Sequence, residues 1–211
     1  MIDTAFFITS FVTLFVIIDP IGLTPLFVAL TQGMSVKQRR AIAIRATLIS
    51  AVILALFAIF GESLLGFIGI SMAAFKIAGG ILLLLTALDM LFQRRAKRRE
   101  DTAEEDEDLD DPSVFPLAIP LIAGPGSIAT VILLAGAHPG LSGLGLSLAV
   151  MVLVLLVTLI FFEAATPLER QLGKTGINVV SRLLGMLLAA LAVQFMLNGL
   201  HDFGLLGIEP T

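Results

Sequence analysis

Apolar residues run along this chain in long blocks with few interruptions. Six of them, at residues 5–31, 46–68, 72–92, 114–137, 144–165 and 177–200, each supply the roughly 20 apolar positions that carry a helix across a bilayer. Polar residues gather in short turns and in one charged stretch, residues 93–113. The pattern predicts an all-α membrane protein with six transmembrane helices. Residues 1–92 form a first group of three, 93–113 a cytoplasmic linker and 114–211 a second group, within one membrane domain.

Two blocks are interrupted near their centres. The first carries Asp19-Pro20-Ile21-Gly22-Leu23-Thr24-Pro25, and the fourth carries Ala123-Gly124-Pro125-Gly126-Ser127 after Pro116 and Pro120. Proline withholds a backbone donor and crowds the preceding turn, and glycine loosens what remains. In lipid every backbone polar group needs a partner inside the protein, so such a break must be buried against other helices or line a wet cavity.

The halves overlay. Pro20 matches Pro125 at an offset of 105, while Lys76 matches Arg182 and Gly79 matches Gly185 at 106. Proline and basic residues are rare inside spans, which makes chance the weaker explanation. With three spans per half, the second half must be upside down relative to the first. The expectation is a 3+3 inverted repeat with broken helices 1 and 4, an arrangement that places a transporter's site at the midplane.

Composition fixes the class and the orientation. The chain has 211 residues, 57% hydrophobic and 14% charged, with a mean hydropathy of +1.02, far from a soluble domain. It has no Cys, Trp or Tyr, so disulfide and thiolate chemistry is excluded and anchoring falls to Phe, Lys and Arg. The N-terminal run lacks a basic leader and a small-residue cleavage site and reads as an uncleaved span. Lys37, Arg39, Arg40 and Arg45, then Arg94 to Arg99, then Arg170, Lys174 and Arg182 lie on one side, and Lys76 alone on the other. By the positive-inside rule the three basic loops are cytoplasmic and both termini periplasmic. The acidic run from Glu100 to Asp108 makes the linker a solvated segment.

Locally, Ser35 is an N-cap for a basic segment, Val36 to Arg45, that leads into span 2. A tight turn at Gly66 to Ser71 precedes span 3. His138-Pro139-Gly140 and the glycines up to Gly145 form an outer loop, and span 6 opens at Asn178.

At the first break Asp19 is an N-cap with Pro20 at the first helical position, and Gly124 and Pro125 begin a helix in the same way. Free amides at such a start attract anions and the carbonyls before it attract cations, so the pair can hold a small polar solute. A cap or a kink explains Asp19 without a ligand. Its place at the centre of a span favours function, including binding of a coupling proton or cation. Thr24 and Ser127 are explained as well by bonding to their own helix as by binding solute.

Lys76 and Arg182 sit one turn into spans 3 and 6. A side chain that snorkels to the interface explains either one alone, while their matched positions favour a shared role: pairing with helix-end carbonyls, with Glu62 or with Glu163, or gating of the cavity mouths. Asp89, Gln194 and Asn198 lie toward span ends, where polarity costs little. His138 and His201, in separate loops, are a poor metal signal. No cofactor or catalytic fingerprint is present, which argues against an enzyme.

The Asp-Pro-x-Gly-x-x-Pro motif (Asp19, Pro20, Gly22, Pro25), the Ala-Gly-Pro-Gly-Ser motif ending at Ser127, the six-span layout and the length together resemble the MarC family of bacterial inner-membrane proteins. The resemblance covers essentially the whole chain. It implies the small-molecule transporter fold of the LysE-type exporters and marks Asp19, Pro20, Gly22, Pro25, Gly124, Pro125, Gly126 and Ser127. It names no substrate. The functional expectation is a secondary transporter, an exporter of a small polar metabolite, working by alternating access. A channel or a non-transporting structural or regulatory membrane protein are the alternatives. The expected partners are the bilayer and a small solute, not nucleic acid, and an oligomer is compatible with the pattern.

Overall fold

The computed structural model describes residues 4–92, 111–137 and 140–205, without the side chains of Glu169, Arg170 and Lys174. The linker at 93–110, both termini, His138 and Pro139 lie outside the described residues. The described residues are helical, with no strand among them. The elements are α1 (Thr4–Ile18), α2 (Pro20–Leu30), α3 (Val36–Ile68), α4 (Met72–Leu91), an irregular segment α5 (Ser113–Ile122), α6 (Pro125–Ala137), α7 (Leu141–Glu163) and α8 (Ala165–Asp202). Among the described residues, five helices are long and apolar enough to cross a membrane, with Thr4–Leu30 taken as one. The count reaches six if α5 and α6, bent by 56° at their junction, form one span.

Helix ends follow local chemistry. Ser35 accepts from the Gln38 amide while the Gln38 side chain serves the Ser35 amide, a capping box that starts α3. The basic segment and span 2 are therefore one 33-residue helix. Gly69, at φ 84°, closes it, and Ser71 caps α4. The expected loop up to Gly145 is shorter, because α7 already begins at Leu141. Gly143 is buried in its first turn, where small residues let membrane helices approach closely. The expected opening of span 6 at Asn178 also moves: α8 is helical from Ala165 and is interrupted at Gly173 (φ 62°, ψ 170°).

The longest seam joins α4 to α8, antiparallel. A side chain at Gly80 would strike Met196 and the Ala192 carbonyl, one at Gly185 would strike Met90, and one at Gly199 would strike Ile77 and the Ala73 carbonyl. Glycine at these three places is what lets the backbones touch. Gly79 faces Leu133 of α6 instead.

Two apolar clusters form the interior. The larger gathers Leu14, Ile18, Leu23, Phe27, Leu54, Ile122, Val131, Val154 and Phe162; the smaller gathers Val16, Ile17, Leu83, Ala87, Met90, Leu188 and Ala192. The last turn of α1 contributes to both. Asp19, the next residue, therefore sits where the two clusters meet.

Candidate functional site

Asp19 is the one non-glycine residue with positive φ among the described residues, at φ 54° and ψ 62°. Aspartate tolerates this left-handed conformation better than most residues because its short side chain bonds locally. Here the carboxylate Oδ1 accepts from the Gly22 amide at 3.0 Å. The Asp19 amide still donates to the Phe15 carbonyl, and its own carbonyl accepts from Leu23. One residue thus turns the chain between α1 and α2 while keeping the ladder on either side. The side chain is buried, at 2% exposure.

The neighbours are shaped to this turn. Pro20 occupies the first helical position, where its missing donor costs nothing. A Cβ on Gly22 would lie 2.1 Å from Asp19 Oδ2, so glycine is needed for the carboxylate to fold back. Pro25 withholds the amide that would serve the Ile21 carbonyl. The Thr24 hydroxyl, fully buried, donates to the Pro20 carbonyl at 3.0 Å.

The α5–α6 junction is built differently. Phe115 and Ile119 are extended, and each precedes a proline across a cis peptide bond. A residue before proline is pushed out of the helical region, so Pro116 and Pro120 dismantle α5 twice. Its bonds at either end are wide turns, Leu117 N to the Pro112 carbonyl and Ala123 N to the Ala118 carbonyl. Gly124 then passes so close to the Pro120 carbonyl that a Cβ would lie 2.3 Å from the oxygen. Pro125, exposed, opens α6, and Ser127, two residues in, is buried at 2% exposure.

The two junctions touch through α1 and α6. A Cβ on Gly126 would lie 3.3 Å from the Ile17 side chain, with Leu83 and Thr86 of α4 next to it. Of the residues singled out from the sequence, Gly126 and the turn before Asp19 are brought together. Lys76 and Arg182 are not. Gly199 abuts Ala73 and Ile77 while Gly185 abuts Met90, so the two cations lie at opposite ends of the α4–α8 seam. Lys76 pairs with Asp202 at 2.5 Å, where α8 ends beside the first turn of α4. Lys76 is thus paired at a helix end, with Asp202 in place of the Glu62 or Glu163 named as candidate partners. Glu62 is exposed on α3, and Glu163 faces Arg40 at 3.5 Å. Arg182 is exposed, and Gln194 bonds Asn198 along the α8 surface.

Contacts at the basic end have no individual signal in the sequence. Phe27 of α2 and Phe162 of α7 stack with centroids 4.5 Å apart. The Arg39 guanidinium lies 5.6 Å from the Phe27 centroid and donates to the Thr166 hydroxyl at 3.0 Å. Arg45 of α3 pairs with Asp111 ahead of α5. Burial would raise the Asp111 carboxyl, but hydrogen bonds from Ser113 and the Arg45 charge outweigh it and hold the group below its ordinary value.

Three relatives illustrate how far the sequence extends. The chain is 41% identical to a UPF0056 membrane protein of Archaeoglobus fulgidus, over 94% of this chain and 93% of that one. It is 38% identical to one of Methanocaldococcus jannaschii, over 94% and 98%, and 38% identical to one of Bacillus subtilis, over 98% and 97%. No solved structure matches it. The family described as MarC family integral membrane protein matches residues 4–203. With that match over nearly the whole chain and several helices of membrane-spanning length and apolarity, this multi-pass integral membrane protein belongs to the MarC family.

Proposed function

We propose that the chain is a secondary transporter, an exporter of a small polar metabolite, with its solute site where the α1–α2 and α5–α6 junctions meet. The observation that carries this reading is Asp19. A carboxylate 2% exposed at the centre of an apolar span is costly and is a functional candidate by default. In the proposed site Asp19 binds the coupling proton or a cationic group of the solute. Pro20, Gly22, Thr24 and Pro25 shape one wall, and Gly124, Pro125, Gly126 and Ser127 shape the other, where the α6 amides face an anionic group.

The same reading makes α1–α4 and α5–α8 inverted repeats, with the first and fourth spans broken. Contacts between halves support it: α3 packs on α7, α4 on α8, α7 on α1 and α3 on α5. Gly80, which packs on α8, and Gly185, which packs on α4, are 105 residues apart, the offset of Pro20 and Pro125. This register is more consistent than one pairing Gly79 with Gly185. Alternating access is then rocking of one half against the other. The proposed setting is a bacterial inner membrane, with the Arg-bearing end cytoplasmic and both termini periplasmic.

A screen for solutes that raise the melting temperature of purified protein identifies the ligand, and reconstituted vesicles then test flux. Asn keeps the left-handed turn and the cap but removes the charge. Asp19→Asn is expected to fold as the wild type does and lose or uncouple transport; full activity would remove Asp19 from the mechanism. Preloaded unlabelled solute should accelerate labelled uptake. Flux without that acceleration would mean a channel, and neither flux nor stabilisation a structural or regulatory protein.

A further inference from the structure

The basic end of the molecule carries a cluster that the solute site does not use. Phe27 lies eight residues beyond Asp19 on α2, about 12 Å along the helix at ~1.5 Å per residue. It and Phe162 are each 1% exposed and stack nearly parallel, at 11°. Arg39 of α3 covers the Phe27 ring from the basic side and reaches across to Thr166 of α8. Arg40 and Glu163 form an exposed ion pair beside it. Four elements, α2, α3, α7 and α8, thus converge on one aromatic pair capped by one guanidinium. Phe27 and Thr24 lie one turn apart on α2, so the cluster stands between the Asp19 turn and the water at that end.

We propose that Phe27, Phe162 and Arg39 form the gate at the basic end, closed in this structure; the proposal rests on the transporter reading above. The aromatic pair supplies a dry seal. Arg39 is its latch, because its two contacts, a ring face and a hydroxyl, are both side-chain contacts that can break without unfolding a helix. Arginine suits the position because its planar head stacks on a ring while its remaining donors stay wet. A rocking motion that separates α2 from α7 would part the rings, release Thr166 and open a path to Thr24 and Asp19.

The chain contains no cysteine, so single reporters test this without knowing the solute. Thr24→Cys reports access beneath the rings, and exposed Lys37→Cys identifies the membrane vesicles whose outer face is the basic end. A membrane-impermeant thiol reagent is applied to that face. Thr24→Cys alone should react slowly. Adding Arg39→Gln should raise its rate about tenfold, from loss of a cation–π contact and a hydrogen bond together. Phe162→Ala should raise it further, with the Lys37→Cys rate unchanged in matched membranes as the check on folding. Fast labelling of Thr24→Cys in the parent, or no acceleration in either variant, overturns the gate. Accessibility that rises as expected while the chain with Thr24 intact moves no solute would keep the gate and defeat the transporter reading.

Discussion

At Asp19 the chain passes from α1 to α2 on one left-handed residue whose own carboxylate covers the new helix start. At Gly124 it passes from α5 to α6 on a glycine, after two prolines have already loosened the segment ahead of it. Both are tight, but the close approach at the first is between a side chain and an amide, and at the second between two stretches of backbone. Asp19 and Gly124 stand 105 residues apart, like Pro20 and Pro125. In the proposed repeat register, one position therefore carries a carboxylate cap in the first half and a residue with no side chain in the second. A charge at both positions would put two carboxylates into one apolar interior, where each would raise the cost of the other.

The largest effect should come from the backbone contact. Gly124→Ala puts a methyl 2.3 Å from the Pro120 carbonyl oxygen, which only movement of the α5 turn can relieve. A loss of about 3 kcal/mol in detergent unfolding is expected. Gly22→Ala meets the Asp19 carboxylate instead, so its cost should fall to about the value of a lost cap, ~1 kcal/mol. In an Asp19→Gly background the obstacle is gone, and Gly22→Ala should be neutral or stabilising, as alanine is in a helix. No such rescue should exist for Gly124→Ala. A rescue there, or none at Gly22, would break the contrast.

Next in size is Asp19 itself. Asp19→Ala loses the cap and forces a Cβ into the left-handed region without local bonding, for about 2 kcal/mol together. Asp19→Asn should stay within ~0.5 kcal/mol of the parent, and Asp19→Gly should lose only a few tenths. Thermal unfolding of the three variants side by side separates geometry from charge. If Asn destabilises as much as Ala does, the charge itself holds the turn, and the transport test with Asp19→Asn must be read together with that loss.

The first junction is more legible in the sequence than the second. Asp followed by Pro has local meaning, and Ser35 with its downstream segment likewise announces a helix start, because caps depend on residues three or four apart. Pro116 and Pro120 are visible too, but a block of apolar residues reads as a span whether or not its inner turns are helical. Partners across the fold have no local signature. Lys76 meets Asp202 from 126 residues away, and Arg39 looks like one of many positive-inside residues until α2, α7 and α8 are seen around it. Phe27 and Phe162, in a chain whose only aromatic is Phe apart from histidine, resemble lipid-facing anchors until their burial is known.

The smallest effect concerns how the second junction is held. Asp111 anchors the chain ahead of α5 by accepting from the Ser113 amide at 3.0 Å and pairing with Arg45 of α3. The first junction instead follows directly on the last turn of α1. The folded Asp111 carboxyl is held below its ordinary value, so its contribution is fully present above the unfolded value of about 4 and is lost as pH falls through the folded value. Both partners are partly exposed, with side chains 56% and 36% accessible, so the pair should be worth no more than about 0.5 kcal/mol. The difference in melting temperature between the parent and Asp111→Asn should therefore be small at pH 7, shrink below about pH 4 and narrow with added salt. A difference that grew in acid would mean that the carboxyl is protonated more readily in the folded chain. The tether would then oppose the second junction rather than hold it.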